Sequence, residues 1–183
     1  MLAITLSILA PFLDVPLLKK SGKLTYHSAL FLSEKPHKGI IKIHGGTLFD
    51  YVFVIDKKMS GSQRTNFIMQ QFAEGLLHLI ETYENTKEEN LIIRGTSYIL
   101  NERTIKRMGF KVVETDSLQK IILIYNYVNL LITASLAKGK PASPKLSATK
   151  TFEARLDDLV KQKPLIRQLR EKLKSVTSPV QSH

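Results

Sequence analysis

Between Asn66 and Glu84 apolar side chains return every three or four residues: Phe67, Met69, Phe72, Leu76, Leu79, Ile80 and Tyr83. That spacing matches the helical turn and predicts a helix with one apolar face. Such a face must be buried against another layer, so the flanking segments decide the fold class. Those segments read as strands. Lys23 to Ser33 alternates, and so does Gly39 to His44, where Ile41 and Ile43 are interleaved with Lys42 and His44. Thr47 to Asp56, TLFDYVFVID, is aromatic and β-branched, as a central strand would be. A further strand is predicted from Leu91 to about Leu100. The chain therefore reads as α/β of the α+β kind, a mixed sheet with flanking helices.

Punctuation between these elements is clear. Lys57 to Thr65 is a polar loop with one glycine, and Asn85 to Asn90 is charged and loop-like. Asn101 suits the N-cap of a short helix, Glu102 to Met108, which Gly109 stops. Phe110 to Glu114 reads as a strand and Gln119 to Tyr125 as its antiparallel return. Ile121 to Ala137 carries no charge and continues as an apolar helix. Asn126, Asn129 and Thr133 recur on it at i, i+3 and i+7, forming a polar stripe. A protein core, a dimer interface or a membrane surface would each suit that helix.

Lys138 to Lys150, with glycine, two prolines and lysines, reads as a linker. Thr151 to Lys174 has a helical pattern that Pro164 should divide, and Ser175 to His183 reads as disordered. The resulting organisation is a domain over 1–137, a linker over 138–150, a basic helical appendage over 151–174 and a tail over 175–183.

Composition narrows the chemistry. The chain has 183 residues, 43% of them apolar and 23% charged, which suits a globular domain. It has no cysteine, which excludes disulfides, cysteine nucleophiles and Cys-ligated metal sites. The reading that follows is a cytoplasmic protein, with membrane association as the second option. The formal charge is +11, and residues 138–183 hold eleven Lys and Arg against four Asp and Glu. Such a tail is either a solvated helix or a grip on an anionic partner. Phe152 is its one aromatic residue, so base stacking has almost no platform and sequence-specific nucleic-acid recognition is not expected. Met1 to Leu13 is uncharged but shorter than the ~20 residues of a membrane span. It reads as a strand, a short helix or an interfacial anchor.

From about Gly45 to Tyr125 the order is strand, glycine-bearing loop, amphipathic helix, strand, short helix, Gly-Phe, strand. With DYVFVID (Asp50–Asp56), the loop KKMSGSQRT and the closing RTIKRMGFKVVET (Arg103–Thr115), this resembles the GNAT superfamily of acyl-CoA-dependent N-acyltransferases. The resemblance implies that the loop and the helix N-terminus hold the pyrophosphate of acetyl-CoA or another acyl-CoA, where free N–H donors and the helix dipole converge. The register is Lys58, Met59, Ser60, Gly61, Ser62, Gln63, with Gln63 in place of the usual small residue. Lys58, Ser60, Gly61, Ser62, Gln63 and Arg64 are the cofactor-binding candidates.

The family's general-acid tyrosine, four residues before the glycine of Gly-Phe, corresponds to Ile105 here. Proton movement therefore falls to Tyr98, Asn101 or His44. Asp50 and Tyr51, near Gly45-Gly46, are further candidates, with an ordinary turn and core aromatic as the alternative. Glu74 and His78 share a helix face, which more often means a surface pair than a metal site; no metal motif is present. The expected activity is acyl transfer from acyl-CoA to an unidentified amine. The second reading is a non-catalytic adaptor of the same fold. It would use the apolar helix and basic tail to meet a partner protein, a second copy or an anionic membrane surface.

Overall fold

A computed structural model of the chain describes residues 22–86, 90–97, 100–144 and 149–177. Met1–Leu13, Tyr98 and residues 178–183 of the tail lie outside the described residues, whereas Ser175–Thr177, read as disordered, form the last turn of the C-terminal helix. The elements are β1 (Leu24–Ser28), β2 (Phe31–Glu34), β3 (Ile40–Gly45), α1 (Leu48–Val54), α2 (Gly61–Tyr83), β4 (Ile92–Ser97), α3 (Glu102–Arg107), β5 (Lys111–Val113), α4 (Ser117–Tyr125), α5 (Tyr127–Lys138), β6 (Lys150–Arg155) and α6 (Leu156–Thr177). Six strands make one mixed sheet in the order β1-β2-β3-β4-β6-β5. The β3–β4 pair is parallel and every other pair is antiparallel. The fold is of the α+β class.

The parallel pair requires a crossover, and α2 supplies it. The apolar stripe that predicts this helix buries Phe72, Leu76, Leu79 and Ile80. Together with Phe31, Ile41 and Ile93 of the sheet they form the core. Each large side chain buried there contributes about 1.5–3 kcal/mol. Gly75 sits within α2 because a Cβ there would come within 2.4 Å of the Phe31 Cβ. The helix can therefore approach β2 closely. α2 starts at Gly61 rather than near Asn66, because Ser60 caps it.

Four segments differ from their sequence reading. Thr47–Asp56 is not a strand; its core is α1. Thr47 and Asp50 form a capping box, with Thr47 N–H donating to Asp50 Oδ2 at 2.6 Å and Asp50 N–H to Thr47 Oγ1 at 3.3 Å. The box starts a helix despite the β-prone side chains. Tyr51 and Ile55, four apart, are buried beneath it, whereas Phe53 is 80% exposed.

Gln119–Tyr125 is likewise helical. The apolar run from Ile121 to Ala137 becomes α4 and α5, parted at Asn126, and Gly139 (φ 66°) ends α5 in the left-handed region. Lys23–Ser33 is a hairpin rather than one strand.

The largest difference is at the C-terminal part. Lys150, read as the end of the linker, and residues 151–155, read as the start of a helical appendage, form the strand between β4 and β5. Glu153 anchors it from both sides. Arg94 of β4 donates to Glu153 Oε2 at 2.6 and 3.0 Å, and the Lys111 ammonium of β5 lies 3.2 Å from Oε1. The Arg94 hydrogen bond, foremost, holds the Glu153 carboxyl below its usual range. α6 then runs through Pro164 as one helix and packs on α2. Part of its positive charge meets α2: Lys163 pairs with Glu84 at 2.8 Å and Arg167 with Glu81 at 3.3 Å. Among the described residues no helix is long and apolar enough to cross a membrane.

Candidate functional site

Parallel strands that lose their pairing leave a crevice at their C-terminal ends. β3 and β4 stay in register from Ile40–Ile92 to Ile43–Gly95, where their pairing stops. Beyond that point β3 continues with β2 as far as Gly45, and β4 with β6 as far as Ser97. The opening is a cavity of about 440 Å³. His44, Gly45 and Gly46 form one rim and Thr96 lies on the other. Leu48 and Tyr51 of α1 make one wall, and α5 forms a roof with Leu130, Asn129 and Thr133. The stripe read from the sequence thus faces this cavity, Asn126 included. Thr133 sends its hydroxyl back to the Asn129 carbonyl at 2.9 Å, as a helical threonine does.

The cavity's charged lining is one pair. His44 Nε2 lies 2.8 Å from Glu34 Oε1, both side chains about half exposed. A carboxylate only accepts, so Nε2 carries the donated hydrogen and the neutral ring keeps its lone pair on Nδ1. The hydrogen bond from His44, foremost, holds the Glu34 carboxyl below its usual range, against the opposing effect of burial. Glu34 has no role in the sequence reading because the strand there is expected to end at Ser33. Its place follows from β2 pairing with β3, where Leu32 faces His44.

Close by, Tyr26 donates its hydroxyl to Asp50 Oδ2 at 3.0 Å. Burial, then the Asp50 charge, push the Tyr26 hydroxyl up to about 12. It keeps its proton at neutral pH. Asp50 also accepts from the Thr47 N–H and hydroxyl, at 2.6 and 2.8 Å, which makes it a structural acceptor.

The other candidates fall elsewhere. Asn101 Oδ1 accepts the Thr104 N–H at 2.9 Å, capping α3 as expected. It borders a separate 250 Å³ groove between α2, α3 and α6, with Asn66, Arg107 and Leu169. His44 and Asn101 therefore do not share a cavity. Ile105 is fully buried.

The six cofactor candidates lie together at the start of α2, but the chain's own groups engage them. Ser60 and Gln63 form a reciprocal capping box, with bonds of 2.8 and 3.3 Å. Arg64 donates to three carbonyls: Met59 at 2.9 Å, Leu136 at 3.0 Å and Lys57 at 2.7 Å. A Cβ on Gly61 would lie 2.2 Å from the Lys138 carbonyl oxygen. The carbonyl end of α5 thus sits against the N-terminus of α2, where its negative dipole end meets the positive one. Lys58, Ser60 and Ser62 are the exposed members of the set.

His78 directs Nδ1 at the His27 carbonyl, 2.7 Å away, rather than at Glu74. Among the described residues no three His, Asp or Glu side chains gather to hold a metal ion. Comparison with family models, curated proteins and solved structures found no match.

Proposed function

We propose that this chain is a GNAT-like binding module whose ligand site is the cavity where β3 and β4 part. The observation that carries the reading is that cavity itself: 440 Å³, mostly apolar, with hydrogen-bonding groups from Asn126, Asn129 and Thr133 along one wall. Its size falls within the ~300–1,000 Å³ of small-molecule sites. Glu34 and His44 are its charged groups, so it suits a neutral or cationic organic molecule better than a polyphosphate. The GNAT likeness is supported by α2 joining the parallel pair and by Gly109-Phe110 following α3 on the way into β5. The engaged turn at Ser60–Arg64 argues for a module without acyl-CoA bound there.

One observation favours a second reading, acyl transfer to an amine. The Glu34–His44 pair stands at the cavity rim with Nδ1 able to take a proton. In that reading His44 accepts the proton of the attacking amine. The amine nitrogen bonds the thioester carbonyl carbon, the C–S bond breaks, and the departing thiolate takes the proton that His44 received, leaving amide and free thiol. Thermal-shift titration separates the two. An apolar amine such as phenethylamine should raise the melting temperature, and acetyl-CoA should not, because a ligand selective for the folded state stabilises it. A shift with acetyl-CoA, with free thiol released when the amine is added, would replace the module by the enzyme. No shift with either would remove the cavity as the site.

A further inference from the structure

The helices that wall the cavity turn a second, outward face to solvent. On α1, Phe53 is 80% exposed and its ring stacks on Phe49, centroids 6.1 Å apart. The two residues are four apart and share one helical face. On α4, Ile121 and Ile124 are each 62% exposed. On α5, which packs against both α1 and α4, Leu131 and Ile132 are more than a third exposed. Scattered exposed apolar residues are ordinary, but three adjoining helices each carrying them are not.

The charge around this face is mainly positive, with exposed Asp56 following α1 and exposed Asp116 preceding α4 as its acidic neighbours. α1, α4 and α5 contain a single carboxylate, Asp50, which is engaged by Thr47 and Tyr26. The chain leaving α1 carries Lys57 and Lys58, and the end of α5 carries Lys138 and Lys140, all four exposed. Arg64 brings these two ends together, because its guanidinium donates to both the Lys57 and the Leu136 carbonyls. None of the four lysines is in an ion pair among the described residues.

We infer that the outer face of α1, α4 and α5 lies on an anionic bilayer surface, with Phe53 entering the interface and the four lysines meeting lipid phosphates. Apolar side chains bordered by lysines are what such a surface selects. The contact is peripheral, since no described helix spans a membrane. Part of the positive charge of α6 is already met, since Lys163 and Arg167 face carboxylates at the end of α2. This inference is independent of what the cavity binds.

Flotation of the full chain tests it, with vesicles of phosphatidylcholine alone and of phosphatidylcholine containing phosphatidylserine. The expected result is flotation with the anionic vesicles only, weakened by high salt. Phe53→Asp should reduce it at least about tenfold, and each of Lys57→Glu and Lys138→Glu about fivefold or more, from roughly 1 kcal/mol per lysine at the surface. Circular dichroism of Phe53→Asp should be unchanged, since the side chain is exposed. Three results would each overturn the inference: no flotation, flotation indifferent to Phe53→Asp, or a dimer that dissociates in Phe53→Asp without any vesicle binding. The last would assign the face to a second copy.

Discussion

Two places in the molecule gather polar side chains at the end of a regular element, and they have opposite fates. At the turn before α2, Ser60, Gln63 and Arg64 bond to their own chain, and the Lys138 carbonyl occupies the space over Gly61. At the ends of β3 and β4, His44, Thr96 and the stripe on α5 surround 440 Å³ of open volume. Both rest on α5, which closes the first with its carbonyl end and roofs the second with its side chains. A donor-rich helix start becomes a ligand site only when no internal acceptor reaches it. A sheet opening stays open when the covering helix spans it without filling it.

That contrast can be broken by substitution. The largest effect is expected from Arg64→Ala, which removes three charge-assisted bonds to carbonyls and should cost about 3 kcal/mol in urea denaturation. Arg64→Lys should recover less than half, since one ammonium cannot span three carbonyls. Gly61→Ala should cost about 2 kcal/mol, because the new Cβ collides with the Lys138 carbonyl. A neutral result would show the turn to be open.

At the cavity the balance reverses. Glu34→Gln should change stability by less than about 1 kcal/mol, as for half-exposed pairs. It should weaken an amine ligand about tenfold or more, read by calorimetry.

The smallest effect is a pH slope. Burial, then the nearby His78, lower the His27 pKa below its usual value. Its imidazole, with Nε2 2.9 Å from Ser33 Oγ, is thus more readily protonated in the unfolded chain. Stability should be fully present above pH 6.5, the unperturbed value, and fall as the pH drops below it. His27→Gln should flatten that part of a melting-temperature profile, and an unchanged slope would show that His27 is not its source.

Legibility followed locality. The α2 stripe, the Asn101 cap, the Gly109 stop and the β3 alternation each depend on a few neighbouring residues and were plain in the sequence. Thr47–Asp56 misleads because its aromatic and β-branched residues favour a strand, while the Thr47–Asp50 box that overrides them is only two side chains. Thr151–Arg155 misleads because its strand character comes from partners far away. Arg94 is 59 positions from Glu153, and neither shows in a local window. Glu34 was missed for the same reason, since its meeting with His44 is a matter of strand register.

By itself the sequence determined the class of the domain, the crossover helix and its buried face, the positive charge and the absence of thiol chemistry. These follow from side-chain periodicity and composition, which no packing can alter. Only the tertiary structure decided that the glycine turn packs against the carbonyl end of α5, that the asparagine stripe faces a cavity and that the basic C-terminal segment enters the sheet. Each depends on which distant backbone or side chain arrives within hydrogen-bonding distance, and that is set by how the layers pack.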